Sequence, residues 1–433
     1  MSIIPPFSIS ILTRINHLEK YFIFLFKYDI VKTEKTVFGG NTIAKINGKA
    51  VFIPYSMPEE TLEIRITQQK NDYDIAEIVN IITPSPNRIK PSCQYFGLCG
   101  GCNLMHINPN YQRELKVQMI KDIFAQNQIQ FEKDFQINTI FGPDFNYRAR
   151  FQFTDGGLSE KSGHKIIQIS ECKCAESPIN EYLQNTKPEN RPQGRVHYFG
   201  SQKVQGENQI FIAESAKKVQ NNIHIKKNSK KELKIKKNNY FSGTILSEEN
   251  TASVKIKDKI LKFDVRGFFQ SNLFVFEKVI DLICTDLSGK NVLDMYSGCG
   301  SISAFLADNF EHVTLVEHNR DALVFAEQNM ANTNHTSYGL SGANWVKTCA
   351  QFCGTFDAIV IDPPRSGMEN EVCDYLCKSK TPVIKSLSCD IATHIRDLKK
   401  LIKAGYSIES FYLLDFYPNT SHIESLAVLK YNK

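Results

Sequence analysis

The sequence predicts an α/β protein: a doubly wound, largely parallel sheet in the C-terminal part, preceded by a small β-barrel and a mostly-β central region. Three observations carry this. From about residue 275 apolar strands alternate with helices; residues 31–90 break into short β-branched runs separated by glycine turns; and residues 146–265 again read mainly as strands.

Bulk properties set the frame. The chain has 433 residues, 42% hydrophobic and 23% charged, enough apolar material for two or three domains. Lys and Arg total 52 against 46 Asp and Glu, and this net charge of +6 suits a polyanionic partner without demanding one. Twelve cysteines do not resemble a disulfide framework, because Cys93, Cys99 and Cys102 crowd together while others, such as Cys284 and Cys349, fall in what read as core elements. Clustered thiols in a large chain point to a metal or cluster and a reducing compartment, so a cytoplasmic location is expected. The apolar stretch Tyr21–Phe26 is too short to span a bilayer, and no small-residue cleavage site follows it. No membrane partner is expected.

The organisation is laid out in order along the chain. Residues 1–30 read as an extension. Residues 31–90 carry TVFGG, NTIAKING, KAVFIPYSM, ETLEIRITQQ and YDIAEIVNIIT, the strands of the barrel. Residues 91–265 form the central region, opening with the cysteine cluster and a helix from about Asn110 to Gln126. Within it, the lysine-rich run 216–237 reads as a solvated loop. Residues 266–433 form the doubly wound domain, in which NVLDMYS, HVTLVE, FDAIVID and PVIKSLS are strands, and SISAFLADNF and RDALVFAEQNMAN helices.

Ligands of such sheets bind at the carboxyl ends of the strands. There VLDMYSGCGS places Asp294 late in a strand and Gly298 and Gly300 at the turn into a helix. Ser303 stands where the dinucleotide fingerprint has its third glycine. The next strand ends in Glu317, an acid suited to ribose hydroxyls. These features fit S-adenosylmethionine as well as a dinucleotide.

Three downstream segments narrow the chemistry. FDAIVIDPPRSG runs a strand into Asp362 and two rigid prolines. PVIKSLSCDIATHIRDL puts Cys389 between a strand and a helix N-terminus, which favours the reactive thiolate. LLDFYPNTSHIESLAVL puts His422 and Glu424 at the start of a last apolar strand, where both can point into the same pocket. A thiolate and a general base are required to methylate a uracil at carbon 5. Addition of sulfur to carbon 6 makes carbon 5 nucleophilic, and the carbon 5 proton must later be removed. The base must also be reached outside its stack.

These segments resemble the RNA uracil-C5 methyltransferase family, whose members carry an SCNP-type motif with a nucleophilic Cys, a DPPR loop and a terminal HxE. GFFQSN at 267–272 is similar to the family's FFQ-x-N segment. The resemblance spans roughly residues 31–433 and implies a Rossmann-like class I methyltransferase domain. It implies Cys389 as nucleophile, Glu424 as proton acceptor, and Gln270, Tyr296, Ser301, Glu317 and Asp362 as S-adenosylmethionine-binding residues. The chain departs in having Asp390-Ile391 where the family has Asn-Pro, so a carboxylate beside the thiolate should raise its pKa unless Arg396 or the helix end offsets it. Its glycine turn reads SGCG instead of CGxG, and Cys299 is read as structural.

Cys93, Cys99 and Cys102 supply three thiolates of the four a cubane cluster needs. The resemblance implies Cys172 as the fourth, with Cys174 as the fallback, and a [4Fe-4S] centre; zinc held by four thiolates is the main alternative. The barrel resembles a TRAM domain, an RNA-binding module, through Gly39-Gly40 and VFIPYSMPEE, with Pro58-Glu59-Glu60 where PGE is usual. This architecture resembles the 23S ribosomal RNA enzymes more than the compact transfer RNA enzymes, so 23S rRNA is the expected partner and tRNA the alternative. A monomer is favoured. Two rival classes are a radical S-adenosylmethionine protein, whose C-x3-C-x2-C spacing is not matched, and a non-catalytic iron–sulfur RNA-binding protein, which leaves Cys389 and Glu424 without a task.

Overall fold

A computed structural model of the chain describes residues 28–129, 131, 134–161, 163–215 and 248–432. The lysine-rich run 216–237 and nearly all of the 1–30 extension lie outside the described residues. The chain forms two compact units: one extends to Pro91 and includes Asn103–Leu115, and the other comprises Ser92–Cys102 and Lys116 onward.

In the first unit six strands form one sheet. They are β1 (Asp29–Lys32), β2 (Lys35–Thr36), β3 (Thr42–Ile46), β4 (Lys49–Ile53), β5 (Thr61–Gln69) and β6 (Tyr73–Thr83), in the order β1-β5-β6-β4-β3-β2. Period-2 patterning sends Ala44, Val51, Ile53, Leu62, Ile64 and Ala76 to one face, where they form a common core. The Asn47-Gly48 pair turns β3 into β4 with φ of 51° and 82°, the left-handed geometry that a tight hairpin of this hand requires. Glu60 is fully buried and holds Arg88 through both carboxylate oxygens, at 2.5 and 2.7 Å. Burial alone would raise its pKa. The bonds from Arg88 and from the backbone N–H groups of Ser85 and Met57 outweigh burial and lower it.

The second unit begins with mixed elements: helix Pro109–Gln126, of which Lys116 onward belongs here, β7 (Ile137–Phe141), β8 (Arg150–Thr154), β9 (Leu158–Ser159), β10 (Ile166–Ile167), helix Ser177–Asn185, β11 (Arg195–Gly200), β12 (Ile210–Glu214), β13 (Thr251–Ile256) and β14 (Lys259–Asp264). Strands β12-β11-β8 make a three-stranded sheet, and β9–β10 and β13–β14 are two-stranded pairs. The remaining strands are β15 (Gly289–Met295), β16 (Phe310–Val316), β17 (His335–Tyr338), β18 (Ala358–Ile361), β19 (Val383–Ser388), β20 (Tyr406–Asp415) and β21 (Glu424–Tyr431). With β7 they build one eight-stranded sheet in the order β17-β16-β15-β18-β19-β21-β20-β7.

Strands β15 to β19 are parallel, and β21 enters antiparallel between β19 and β20. The order reverses between β15 and β18, which makes a switch point there. The apolar runs of β15, β16 and β18 are buried because helices cover both faces. Three details differ from the sequence reading. Strand β7 comes from the central segment, yet pairs in parallel with β20 as the sheet's edge. The helix read through SISAFLADNF is a single turn, Ser303–Leu306, because Gly298 and Gly300 keep the preceding backbone left-handed. Cys284 ends a core helix and packs against the core only half-buried, and Cys349 is a half-buried helix cap outside it. No helix among the described residues is long and apolar enough to cross a membrane.

One buried ion pair joins distant parts of this unit. Lys116 on helix Pro109–Gln126 donates to Asp415 at the end of β20 (2.7 Å) and to the Tyr417 carbonyl (3.1 Å), with both charged side chains almost fully buried. Lys116→Met should destabilise the protein by about 3–5 kcal/mol, because a carboxylate is left in the interior without its cation. Urea unfolding would measure this, and Lys116→Met combined with Asp415→Leu should recover much of the loss.

Candidate active site

Backbone register brings the strand ends together. Met295 of β15 stands beside Val316 of β16 and Ile361 of β18, and Ile361 stands beside Ser386 of β19. Residues just beyond these positions therefore share one edge of the sheet. Because β21 runs the other way, its first residue, Glu424, arrives at that same edge, with Ser425 opposite Ser388.

The glycine turn occupies one side of this edge. Tyr296 takes φ +67°, and its N–H and that of Ser297 both donate to the Val316 carbonyl, at 2.8 and 3.1 Å. Gly298 donates its N–H to Glu317 (3.0 Å), whose other oxygen accepts from the Asn319 N–H (2.6 Å) and meets His318 Nδ1 at 3.0 Å. A Cβ on Gly300 would lie 3.2 Å from both Cα and Cβ of Ala326, so glycine permits the close approach of helix Arg320–Asn329. Ser301 comes next in the same turn, half-buried. Cys299 is buried, and burial pushes its thiol up to about 12, in keeping with a structural residue.

Sequence reasoning gave Ser303 no role, but its hydroxyl donates to buried Asp294. Burial, with Asp362 and Glu317 nearby, raises the Asp294 carboxyl to about 7. Glu369 was also missed. It accepts the Tyr296 hydroxyl (3.4 Å) and the Ala343 N–H (3.0 Å), bracing the turn against the start of helix Gly342–Thr348. The Glu369 role has no signal in local sequence, since it joins residues far apart in the chain.

On the other side, Gln270, Asp362, Ser388 and Glu424 line a narrow cleft with Phe276, Leu387 and Phe416. The start of the next helix fixes the position of Gln270. Asn272 caps helix Leu273–Cys284 by accepting from the Val275 N–H (3.1 Å), and its amide donates to the Phe416 carbonyl (3.0 Å). Cys389 sits next to Ser388, half-buried, and shares the field of this cleft. Burial raises the Cys389 thiol to about 11, assisted by Glu424 and Asp362 and opposed by Arg365. Burial raises Asp362 to about 6. Burial and Asp362 raise Glu424 to about 8, against the pull of Arg365 and Lys116.

One of the expected offsets is in place. Asp390 meets the helix end: its side chain accepts from the Thr393 N–H (2.9 Å) as the cap of helix Ile391–Lys403. Arg396 feels the Asp390 carboxylate, but its bonds go to Asp397 (2.8 Å) and the Ser366 carbonyl (3.0 Å), and Arg365 is the cation that favours ionised Cys389. His422 is exposed, with its ring 5.6 Å from that of Tyr417.

The thiols form a separate group. Cys102 and Cys174 bring their sulfurs to 3.7 Å, and Cys172 lies close enough to Cys174, Cys99 and Cys93 to raise the pKa of each of the latter two. Cys172 itself is held well above the usual thiol range, first by its hydrogen bond with Cys174 and then by burial. Among the described residues, no three His, Cys, Asp or Glu side chains converge tightly enough to hold a single metal ion. Arg148 feels the charges of Cys172 and Cys174, and its guanidinium is 4.6 Å from the Phe151 ring and 5.8 Å from that of Tyr417.

Comparison with known proteins gives a consistent picture. Residues 351–432 match the family model for tRNA (uracil-5-)-methyltransferase, and residues 274–387 match that for conserved hypothetical protein 95. An uncharacterised RNA methyltransferase from Treponema denticola is 35% identical, over 93% of this chain and 99% of the relative. A 23S rRNA (uracil(1939)-C(5))-methyltransferase from Shewanella sediminis is 27% identical, over 90% of this chain and 93% of the relative. The crystal structure of Pyrococcus abyssi tRNA (uracil-54, C5)-methyltransferase with S-adenosyl-L-homocysteine shares the fold. It covers 92% of this chain and 99% of its own, with a TM-score of 0.67 at 21% identity.

The raised Glu424 carboxyl has a consequence for stability. Its folded value of about 8 lies above the ordinary 4.5, so the folded state binds this proton more tightly than the unfolded state. The associated stability is present below about pH 4.5 and is lost as pH rises through about 8. Glu424→Gln removes this loss. Calorimetry should find its Tm gain over the parent chain small in mild acid and larger above about pH 8; an equal difference at both pH values would mean that the carboxyl is not held in this way.

Proposed function

The chain belongs to the RNA uracil-C5 methyltransferase family, and from that premise we propose that it methylates carbon 5 of a uridine in 23S ribosomal RNA through a covalent bond to Cys389. The observation that carries this is the strand register that brings Cys389, Glu424 and Asp362 to one edge of the sheet, beside a cleft that Gln270, Asp362 and Glu424 line. S-adenosylmethionine supplies the methyl group and a sulfonium charge that two neighbouring carboxyls favour. Gln270, Tyr296, Ser301, Glu317 and Asp362 hold it, with Glu317 suited to the ribose and Asp362 to the positive end.

The protein's own groups then divide the work. Arg365 helps Cys389 lose its proton against the burial that opposes ionisation. The thiolate adds to carbon 6 of the flipped uracil, and carbon 5 takes the methyl group. Glu424 removes the carbon 5 proton, the carbon 5–carbon 6 double bond returns, and the sulfur leaves as thiolate. A carboxyl near 8 is a stronger base, once ionised, than an ordinary glutamate.

The ribosomal assignment is supported by the six-stranded N-terminal sheet, read as a TRAM-like RNA-binding module, by the cysteine-bearing central region, and by near full-length similarity to a 23S rRNA enzyme. Soft thiolate donors suit iron–sulfur chemistry, and the residues proposed to hold a [4Fe-4S] cluster are Cys93, Cys99, Cys102 and Cys172. Zinc held by the same four thiolates is the alternative. Methyl transfer moves no electron, so the cluster would organise the protein or its RNA.

RNA containing 5-fluorouracil tests the mechanism, because fluorine cannot leave as a cation. With S-adenosylmethionine the protein should form a stable adduct, and Cys389→Ala should form none and turn nothing over. Glu424→Gln should transfer the methyl group and then stall before release. Turnover should rise with pH through about 8 as Glu424 ionises; normal turnover by Glu424→Gln would sink its assignment as base. Protein purified without oxygen should carry iron that Cys172→Ser loses and Cys174→Ser keeps. In cells lacking the protein, loss of 5-methyluridine from tRNA instead of 23S rRNA would overturn the substrate.

A further inference from the structure

Cys389 and Glu424 come from different segments, and thiol addition and proton removal demand a fixed approach between them. We propose that His394 is a positioning residue: held between the hydroxyls of Ser386 and Ser425, its imidazole locks the helix after Cys389 to the strand that begins at Glu424. The inference rests on the covalent mechanism proposed for Cys389 and names a residue that sets its geometry.

His394 lies in the first turn of helix Ile391–Lys403, with only 3% of its surface exposed. Its Nδ1 is 2.8 Å from Ser425 Oγ and its Nε2 3.2 Å from Ser386 Oγ. Ser425 is the direct neighbour of Glu424, and Ser386 lies on the strand that ends at Ser388, just before Cys389. Both serines are themselves buried. A neutral imidazole offers one donor and one acceptor, and a serine hydroxyl can supply either complement. The ring can therefore satisfy both contacts at once, and burial pushes its pKa down to about 3, which keeps it neutral across the working range.

An apolar residue would be the ordinary choice here, since Ile391, Ile395, Leu398 and Leu401 already bury the helix face. Apolar contact is non-directional, whereas a hydrogen bond weakens with small errors in distance and angle. Two such bonds at one helix turn fix its rotation and its height over the sheet. The same helix reaches the third catalytic segment, where Thr393 donates to the Arg365 carbonyl (3.1 Å) and Asp397 accepts from the Met368 N–H (2.8 Å). His394 adds the tie to the strand of Glu424.

The test uses the full chain, RNA containing 5-fluorouracil and S-adenosylmethionine. It reads adduct rate, S-adenosylmethionine affinity and Tm for His394→Leu, His394→Gln and Ile395→Val. The last loosens the same helix through packing alone. His394→Leu should slow adduct formation by between about 10- and 100-fold, the scale of a misplacement near 1 Å, with cofactor affinity unchanged. His394→Gln, which keeps a donor and an acceptor, should recover part of the rate, and Ile395→Val should lower Tm without slowing the adduct. Wild-type adduct rate in His394→Leu, or equal slowing in Ile395→Val, overturns the proposal. Should His394→Leu fail to fold, His394→Gln decides: a rate no different from Ile395→Val overturns it, and a slower one supports it. If the parent chain forms no adduct, the covalent reading itself fails and this inference with it.

Discussion

Two carboxyls and a thiol meet at the carboxyl edge of one sheet, where burial makes each harder to ionise, Asp362 adds to the effect on Glu424, and both carboxyls add to it on Cys389. Burial holds Glu424 and Cys389 protonated near neutrality, whereas Asp362, raised only to about 6, is largely ionised there. Arg365, and at longer range Lys116, hold that tendency in check. A bound sulfonium would tip the balance further, so the site is poised to gain its charges when its co-substrate arrives. The rest of the fold serves this arrangement, because such crowding survives only where the backbone leaves the groups no freedom to separate.

The backbone does so by converging three loops on one helix. Helix Ile391–Lys403 starts at the residue after Asp390, is capped by it, and touches the Arg365–Met368 loop and the Ser425 strand within its first two turns. Lys116 pins the end of β20 with a buried charge pair. Such a pair contributes little net stability against an apolar replacement, but it punishes misplacement heavily, which suits a role in fixing geometry.

Much of this could be read from the chain. Strand and helix alternation announces itself locally, since a buried parallel strand is a run of apolar residues and its turn is marked by glycines. Asp362, Cys389 and Glu424 were legible because each stands at a strand end beside a distinctive neighbour. The features that stayed hidden depend on distance in sequence. Arg365 acts across space from another loop. His394 resembles any histidine on a helix until Ser386 and Ser425 meet it. The pairing of β7 with β20 has no local signature at all, because Ile137–Phe141 is an ordinary short strand until its partner exists.

That last pairing has a consequence for how the protein can be divided. Sequence patterning draws a boundary near residue 266, as though the catalytic half were a module. Yet β20 has β21 on one side and, on the other, a strand contributed from upstream of that boundary. Cutting there would bare the hydrogen-bonding edge of β20, an invitation to self-association. A fragment that keeps this sheet whole must therefore include Ile137–Phe141 as well as the residues after the apparent boundary.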